Sequence, residues 1–211
     1  MAYICIMGKF IKRYALEIYT VLAMAFMVVT SFMGNLSTVQ LFVVCFNLLF
    51  VLHEWEENVY PGGFLNLITQ LIERDVDEQT RRASRIPTGV LLVTLTLLPF
   101  FFDGVALFAV AIAVFGIFEC FVHIMGIKIF GLEKKYTPGM VTALCEGALG
   151  VALIVFLAVN HRAAWYDYVG GFFLFLALFV CMQKTLTLMV GMRYRDLPKL
   201  ARKQLQRMRE R

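Results

Sequence analysis

Residues 105–127, VALFAVAIAVFGIFECFVHIMGI, decide the fold of this chain, because they form an apolar run interrupted by only two ionisable groups, Glu119 and His123. About 20 helical residues of this character cross the ~30 Å hydrocarbon core of a bilayer. Five further runs resemble this one, so the sequence predicts an all-α, polytopic transmembrane helix bundle of about six spanning helices. The predicted spans are residues 15–33, 38–55, 87–102, 105–127, 138–159 and 168–192.

The composition indicates the same class of protein. Hydrophobic residues make up 60% of the 211-residue chain, against roughly 45–50% in soluble domains. No linker divides the chain, so residues 1–192 are predicted to form one bundle followed by a basic tail, residues 193–211. The first apolar run lacks a small-residue cleavage site and indicates an uncleaved span. The five cysteines are scattered singly, which is typical of apolar filler rather than of disulfides or a metal knuckle.

The basic residues predict the orientation of the bundle. All Lys and Arg except Arg162 and Lys184 lie before the first span, between the second and third, between the fourth and fifth, or in the tail. Because short cytoplasmic loops collect such residues, both termini are predicted to be cytoplasmic. The tail is expected to associate with anionic lipid. Nucleic acid is not expected as a partner, since no aromatic platform or nucleic-acid-binding fold accompanies the charge.

The second span ends in HEWEE, residues 53–57, which places four ionisable groups at the predicted cytoplasmic face. Residues three and four apart share one face of a helix. His53, Glu56 and Glu57 are therefore predicted to point the same way, while Glu54 and Trp55 point elsewhere. For this motif taken alone, an ordinary solvated helix end is the alternative.

Ionisable groups recur at similar depth on three other spans. Glu119 and His123 share one face of the fourth span, about 12 and 6 Å from its cytoplasmic end at ~1.5 Å per residue. Glu146 in the fifth span and Lys184 in the sixth lie about as deep as Glu119. Charged groups inside a bilayer face the bundle interior and pair with one another. The sequence therefore predicts a polar chamber open to the cytoplasm.

The side chains of the chamber are compatible with several functions. Histidine and carboxylate side chains are suited to zinc, iron or manganese, and helix bundles build metal sites from them. Alternatives are general acid–base catalysis without metal and purely structural contacts, including a Glu146–Lys184 ion pair. The candidate metal ligands are His53, Glu56, Glu57, Glu119 and His123; the candidate catalytic carboxylates are Glu57, Glu119 and Glu146; and Lys184 is the candidate for balancing charge or binding an acidic headgroup.

Two motifs carry a resemblance to a known family. HEWEE, residues 53–57, resembles the defining motif of the HXXEE family of bacterial integral membrane proteins, and His123 followed by YTPGMVTA, residues 136–143, resembles its second block. The resemblance covers about residues 42–144. It implies a bacterial cytoplasmic membrane protein of uncharacterised function, suggested to be an enzyme, with His53, Glu56, Glu57 and His123 in its site. It also implies an Asn one turn before the second histidine, where this chain has Glu119.

Residues 64–84 place apolar side chains at helical spacing before a charged segment. This pattern predicts an interfacial amphipathic helix, either a lid hinged at Gly62 and Gly63 or a connector packed on the bundle. The leading hypothesis for function is a membrane-embedded, metal-dependent enzyme acting on a lipid or lipid-linked substrate, because a site at this depth reaches lipid chemistry. The alternatives are a small transporter or proton-coupled carrier, and a non-catalytic membrane protein with a structural polar core.

Overall fold

The computed structural model describes residues 2–209, with the side chains of residues 7–200, 202–204, 206 and 207; Cys5 lies outside the described side chains. The described part of the chain is all-helical and contains no strand, which confirms the predicted fold class. The helices are α1 Ala2–Arg13, α2 Ala15–Ser31, α3 Thr38–Asn58, α4 Phe64–Ile72, α5 Glu78–Ala83, α6 Arg85–Phe101, α7 Ala106–Phe130, α8 Met140–Val159, α9 Trp165–Met189 and α10 Leu197–Arg209, with a short 3-10 helix Tyr194–Asp196 before α10.

Within the described residues, five helices are long and apolar enough to cross a membrane, and a bent pair can supply a sixth crossing. The five are α3, α5 with α6 as one run Glu78–Phe101, α7, α8 and α9. The pair is α1 and α2, which bend by 80°. The first predicted span therefore corresponds to α2 alone, which has 17 residues, and α1 turns away because Lys9, Lys12 and Arg13 make it amphipathic.

The helix α7 lies at the centre of the bundle and packs against α6, α8 and α9. Its contact with α8 is close because small residues face each other. A Cβ on Gly116 would lie 2.7 Å from the carbonyl oxygen of Glu146, and a Cβ on Gly150 would lie 2.5 Å from that of Ala113. Small residues let helix backbones approach within a membrane bundle. This contact fixes the ionisable residues of α7 and α8 relative to each other.

The predicted helix over residues 64–84 is divided into two. Glu73 adopts a left-handed conformation with φ 52° and ends α4. The helix α5 then begins after Asp77, whose side chain accepts from the backbone N–H of Thr80 at 2.9 Å. An acidic N-cap of this kind satisfies an otherwise unpaired amide of the first turn. The apolar face of α4 packs on the bundle beside α3 and α10.

The tail helix α10 is joined to the end of α4 by ion pairs. Glu73 contacts Lys203 Nζ at 3.0 Å and Arg207 Nη1 at 2.6 Å. The neighbouring Arg74 donates from Nη1 to the carbonyl oxygens of Val190 and Gly191, both at 3.0 Å, at the end of α9. Cations at a helix C-terminus stabilise its unpaired carbonyl groups. The segment between α3 and α6 is thus tied to the C-terminal part of the chain.

These ion pairs predict an acid-sensitive tail. Hydrogen bonds from Lys203 and then Arg207 hold the pKa of Glu73 below its usual range. A lowered pKa in the folded state means that the stabilisation is present at neutral pH and is lost as the pH falls through that lowered value. We expect Glu73→Gln to release α10 at neutral pH, seen as faster tryptic cleavage in the tail. Equal cleavage of Glu73→Gln and a Glu133→Gln control, which changes an exposed loop carboxylate, would contradict this.

Candidate metal centre

Two imidazoles meet between α3 and α7. The rings of His53 and His123 lie 5.0 Å apart between centroids and are nearly perpendicular, at 87°. Both residues are buried, with His123 only 1% exposed. The ring of Phe64, the first residue of α4, lies 5.2 Å from that of His123. The pair therefore sits beneath the start of α4.

The contacts of His53 define which ring nitrogen carries hydrogen. Its Nδ1 lies 3.1 Å from the carbonyl oxygen of Gly139 and 2.9 Å from Thr142 Oγ1. A carbonyl oxygen only accepts, so Nδ1 carries the hydrogen in the neutral imidazole. The Nε2 lone pair is then exposed on the opposite side of the ring.

His123 is held in the same way. Its Nδ1 lies 2.9 Å from Thr137 Oγ1. That hydroxyl donates its own hydrogen to the carbonyl oxygen of His123 at 3.3 Å, so its oxygen accepts from Nδ1–H. A hydrogen bond on one ring nitrogen fixes the tautomer and orients the other nitrogen toward a ligand. Both imidazoles thus present Nε2.

The two Nε2 atoms face carboxylates. Glu57 Oε1 lies 3.5 Å from Nε2 of His53 and 3.2 Å from Nε2 of His123. Glu119 Oε2 lies 3.9 Å from Nε2 of His123. His53, Glu119 and His123 each offer one ligand atom within 4.8 Å of the others. Together with Glu57, these three residues form what we call the His/Glu cluster.

The cluster fits a divalent cation. Nitrogen and oxygen ligands lie about 2.0–2.2 Å from zinc, so two ligands of a tetrahedral site are separated by ~3.4 Å. The separations involving Glu57 are 3.5 and 3.2 Å, close to this value. The Nε2 atom of His123 is buried and has no hydrogen-bond partner, so its contact with Glu57 is not an ordinary N–H···O bond. Neutral imidazoles and carboxylates facing each other are all acceptors, so either a shared cation or a proton on Nε2 makes these contacts favourable.

Glu56 lies outside this cluster. The sequence predicts it as a metal ligand on the face of His53 and Glu57, whereas the structure places its carboxylate at the start of α8. Burial, and then its hydrogen bond to Glu56, raises the pKa of Tyr136 to about 12, so the phenol remains a donor. A carboxylate at a helix N-terminus satisfies free amides and the helix dipole. The carboxylate of Glu56 accepts hydrogen bonds from Tyr136 Oη at 2.8 Å, Val141 N at 3.1 Å, Thr142 N at 2.9 Å and Thr142 Oγ1 at 2.6 Å.

The turn before α8 approaches the cluster closely at Gly139. Its φ is +91°, in the left-handed region, and a Cβ would lie 2.6 Å from Glu57 Cγ, 2.8 Å from His123 Cε1 and 2.9 Å from His53 Cε1. Only glycine fits this space and this backbone conformation without strain. The sequence places this glycine in the second block but does not show that it touches both histidines.

Glu146 is fully buried on α8, and both of its carboxylate oxygens lack a hydrogen-bond partner. Within the described part of the chain, no hydrogen bond or ion pair joins it to the His/Glu cluster. The alternative of a Glu146–Lys184 ion pair is wrong: the Lys184 side chain is exposed on the outer face of α9, and neither oxygen of Glu146 has a partner. A long aliphatic stem lets a lysine ammonium leave the apolar layer, so depth along the helix does not imply an inward direction.

The sequence predicts that Glu54 points away from the chamber, but this residue is buried. Glu54 is 4% exposed and receives hydrogen bonds from Asn58 Nδ2, to its carbonyl oxygen at 2.8 Å and to Oε2 at 3.3 Å. The prediction for Trp55 agrees with the structure, since it donates outward to Thr20 Oγ1 at 2.9 Å. Buried Asn47, seven residues before Glu54, belongs to the same stripe of α3. A polar pair at that spacing is the signal that could have identified Glu54.

A cavity of about 270 Å³ opens beside the cluster. One side of it is lined by His53, Glu54, Glu57 and Glu119. The remaining wall is mostly apolar and comes from α4, α6, α7 and α9. The apolar floor includes Leu91, Leu92, Phe115, Phe118 and Phe179, and the polar rim includes Thr80, Arg81, Ser84 and Arg85.

Fold and site together define a polytopic helical protein with the character of an integral membrane protein and a buried His/Glu cluster at one end of its bundle. The chain belongs to the family described as proteins of unknown function with an HXXEE motif, whose sequence profile matches residues 44–150. This confirms the resemblance carried by the two motifs. No curated protein and no solved structure matches the chain.

Proposed function

We propose that this protein is a membrane-embedded enzyme that depends on a divalent metal and acts on a lipid or lipid-linked substrate. The observation that carries the proposal is the convergence of two Nε2 lone pairs on Glu57 Oε1, at 3.5 and 3.2 Å, with Glu119 beside them. The proposed setting is a bacterial cytoplasmic membrane with the cluster on the cytoplasmic side. The excess of Lys and Arg in the predicted cytoplasmic loops supports that orientation.

The residues of the cluster divide into proposed metal ligands and a proposed proton acceptor. His53 and His123 would hold zinc, iron or manganese through Nε2, while Thr142 and Thr137 keep both rings in place. Such an ion, when bound, supplies Lewis acidity toward a substrate oxygen. Glu57 would be a further ligand, and Glu119, with its side chain 15% exposed, would accept a proton from a molecule in the cavity.

The substrate class follows from the surroundings of the cluster. Apolar side chains line most of the adjoining cavity, and helices of spanning length surround it. A small polar metabolite would bury polar groups against that apolar wall without hydrogen-bond partners, which is unfavourable. A substrate with an apolar chain buries the same surface with a gain in free energy.

Reconstituted protein tests the proposal. Vesicles of phosphatidylethanolamine, phosphatidylglycerol and palmitic acid would receive the protein with zinc, iron or manganese, and mass spectrometry would follow their lipids. We expect a new lipid product that disappears with chelator, returns with one of the ions and is absent with Glu57→Gln. Lys184→Gln, on the outer face of α9, is the matched control. Unchanged lipids with every ion, in protein that keeps its fold, would contradict the proposal.

A further inference from the structure

The cavity has a polar end and an apolar end. His53 and Glu119 line one side of it, while Phe118 and Phe179 line the apolar part of the wall. The rings of Phe118 and Phe179 stack edge-on, with centroids 4.8 Å apart, and close the floor. A molecule that fills the cavity must therefore be polar at the cluster and apolar beyond it.

The rim carries positive charge suited to an anionic group. Arg81 is engaged, donating from Nε to the carbonyl oxygen of Val76 at 2.9 Å and from Nη1 to Asn66 Oδ1 at 2.5 Å. Arg85 differs, because its Nε is buried and has no hydrogen-bond partner. A guanidinium presents a planar set of donors that matches a carboxylate or phosphate. Arg85 is therefore the group available to an anionic head in the cavity.

The volume limits the number of chains. About 270 Å³ lies just below the ~300–1,000 Å³ of typical small-molecule pockets. This space accepts one acyl chain rather than both chains of a diacyl lipid. The helix α4 covers it with Phe64, Leu65, Ile68 and Ile72, all of which line the cavity.

We propose that the cavity binds a single-chain anionic amphiphile of the fatty-acid type, with its chain against Phe118 and Phe179 and its acidic head between Arg85 and the His/Glu cluster. This inference rests on the proposed function and specifies its substrate class. It assigns the apolar floor to chain binding and Arg85 to recognition of the head.

Photolabelling tests the assignment. The probe is a palmitic acid carrying a diazirine near the chain end, added to the detergent-purified full-length protein, with crosslinks mapped by mass spectrometry. We expect labels on the parts of α7 and α9 around Phe118 and Phe179. Leu186→Trp fills the cavity from α9 and should reduce labelling roughly tenfold, the change that follows from about 1.4 kcal/mol of overpacking. Leu188→Trp, at a position 74% exposed on the same helix, should leave labelling unchanged.

Two further probes test the head and the chain number. Arg85→Gln should weaken labelling by the acid but not by the corresponding neutral alcohol. Equal labelling of the floor by a diacyl phosphatidic acid probe would overturn the single-chain assignment, and equal labelling in Leu186→Trp and Leu188→Trp would overturn the cavity assignment. Metal content of the same samples separates the two proposals. Metal without floor labelling overturns only this inference, whereas floor labelling without metal overturns only the proposed metal dependence.

Discussion

Gly139→Ala should disrupt the His/Glu cluster while leaving the spanning helices in place. The new Cβ would lie within 2.9 Å of atoms from Glu57, His123 and His53, at a φ of +91°. A left-handed conformation costs an L-residue about 1–2 kcal/mol, and overpacking a filled interior typically adds about 1–3 kcal/mol. We expect the free energy of unfolding to fall by roughly 2–5 kcal/mol and the bound metal to be lost.

Denaturant unfolding in detergent and elemental analysis measure the two effects. Gly34→Ala is the matched control, since a Cβ there meets no atom within 4 Å. The control should keep both stability and metal. A Gly139→Ala protein with the stability and metal content of the control would show that the turn before α8 does not shape the cluster.

The two adjacent glutamates should respond in opposite ways to amide substitution. Glu56→Gln removes the charge that accepts four hydrogen bonds at the start of α8, and should lower the free energy of unfolding by roughly 1–3 kcal/mol. Glu57→Gln removes a carboxylate that contacts the two imidazoles. It should keep the fold and lose the metal.

Unfolding curves and metal content of both proteins, with Glu133→Gln as an exposed control, decide the assignment. The structural role belongs to Glu56 if Glu56→Gln is the less stable protein and retains metal when folded. A stable Glu56→Gln protein without metal would place Glu56 in the cluster, as the sequence pattern predicts, and would contradict the contacts seen at α8.

Much of the fold can be predicted because the apolar length of each spanning helix must match the thickness of the bilayer. The start of α3 is predicted at the residue observed, Thr38, and in the structure Ser37 and Gln40 form a reciprocal capping box there. The predicted span ends at Trp55, whereas the helix itself continues to Asn58. Hydropathy falls at HEWEE, but burial against α7 and α8 allows the helix to continue through those charged residues.

The grouping of His53, Glu57, Glu119 and His123 is also predictable, because helical spacing and depth bring them to one level. The direction of each side chain around its helix is not. Depth and spacing place Glu56 and Lys184 in the chamber, yet the carboxylate of Glu56 accepts hydrogen bonds at the start of α8 and Lys184 lies on the outer face of α9. Which helices are neighbours decides such cases, and that information lies in long-range packing rather than in local periodicity.

X-ray absorption at the metal edge tests the central claim most directly. Protein purified with zinc supplied, without chelators, should show a first shell of nitrogen and oxygen at about 2.0–2.2 Å, with scattering from two imidazoles. His123→Ala should retain the signal of one imidazole, or lose the metal, and the His53→Ala, His123→Ala double variant should show none. A wild-type spectrum without imidazole scattering, or one unchanged in the folded double variant, would contradict a metal centre built from these two histidines.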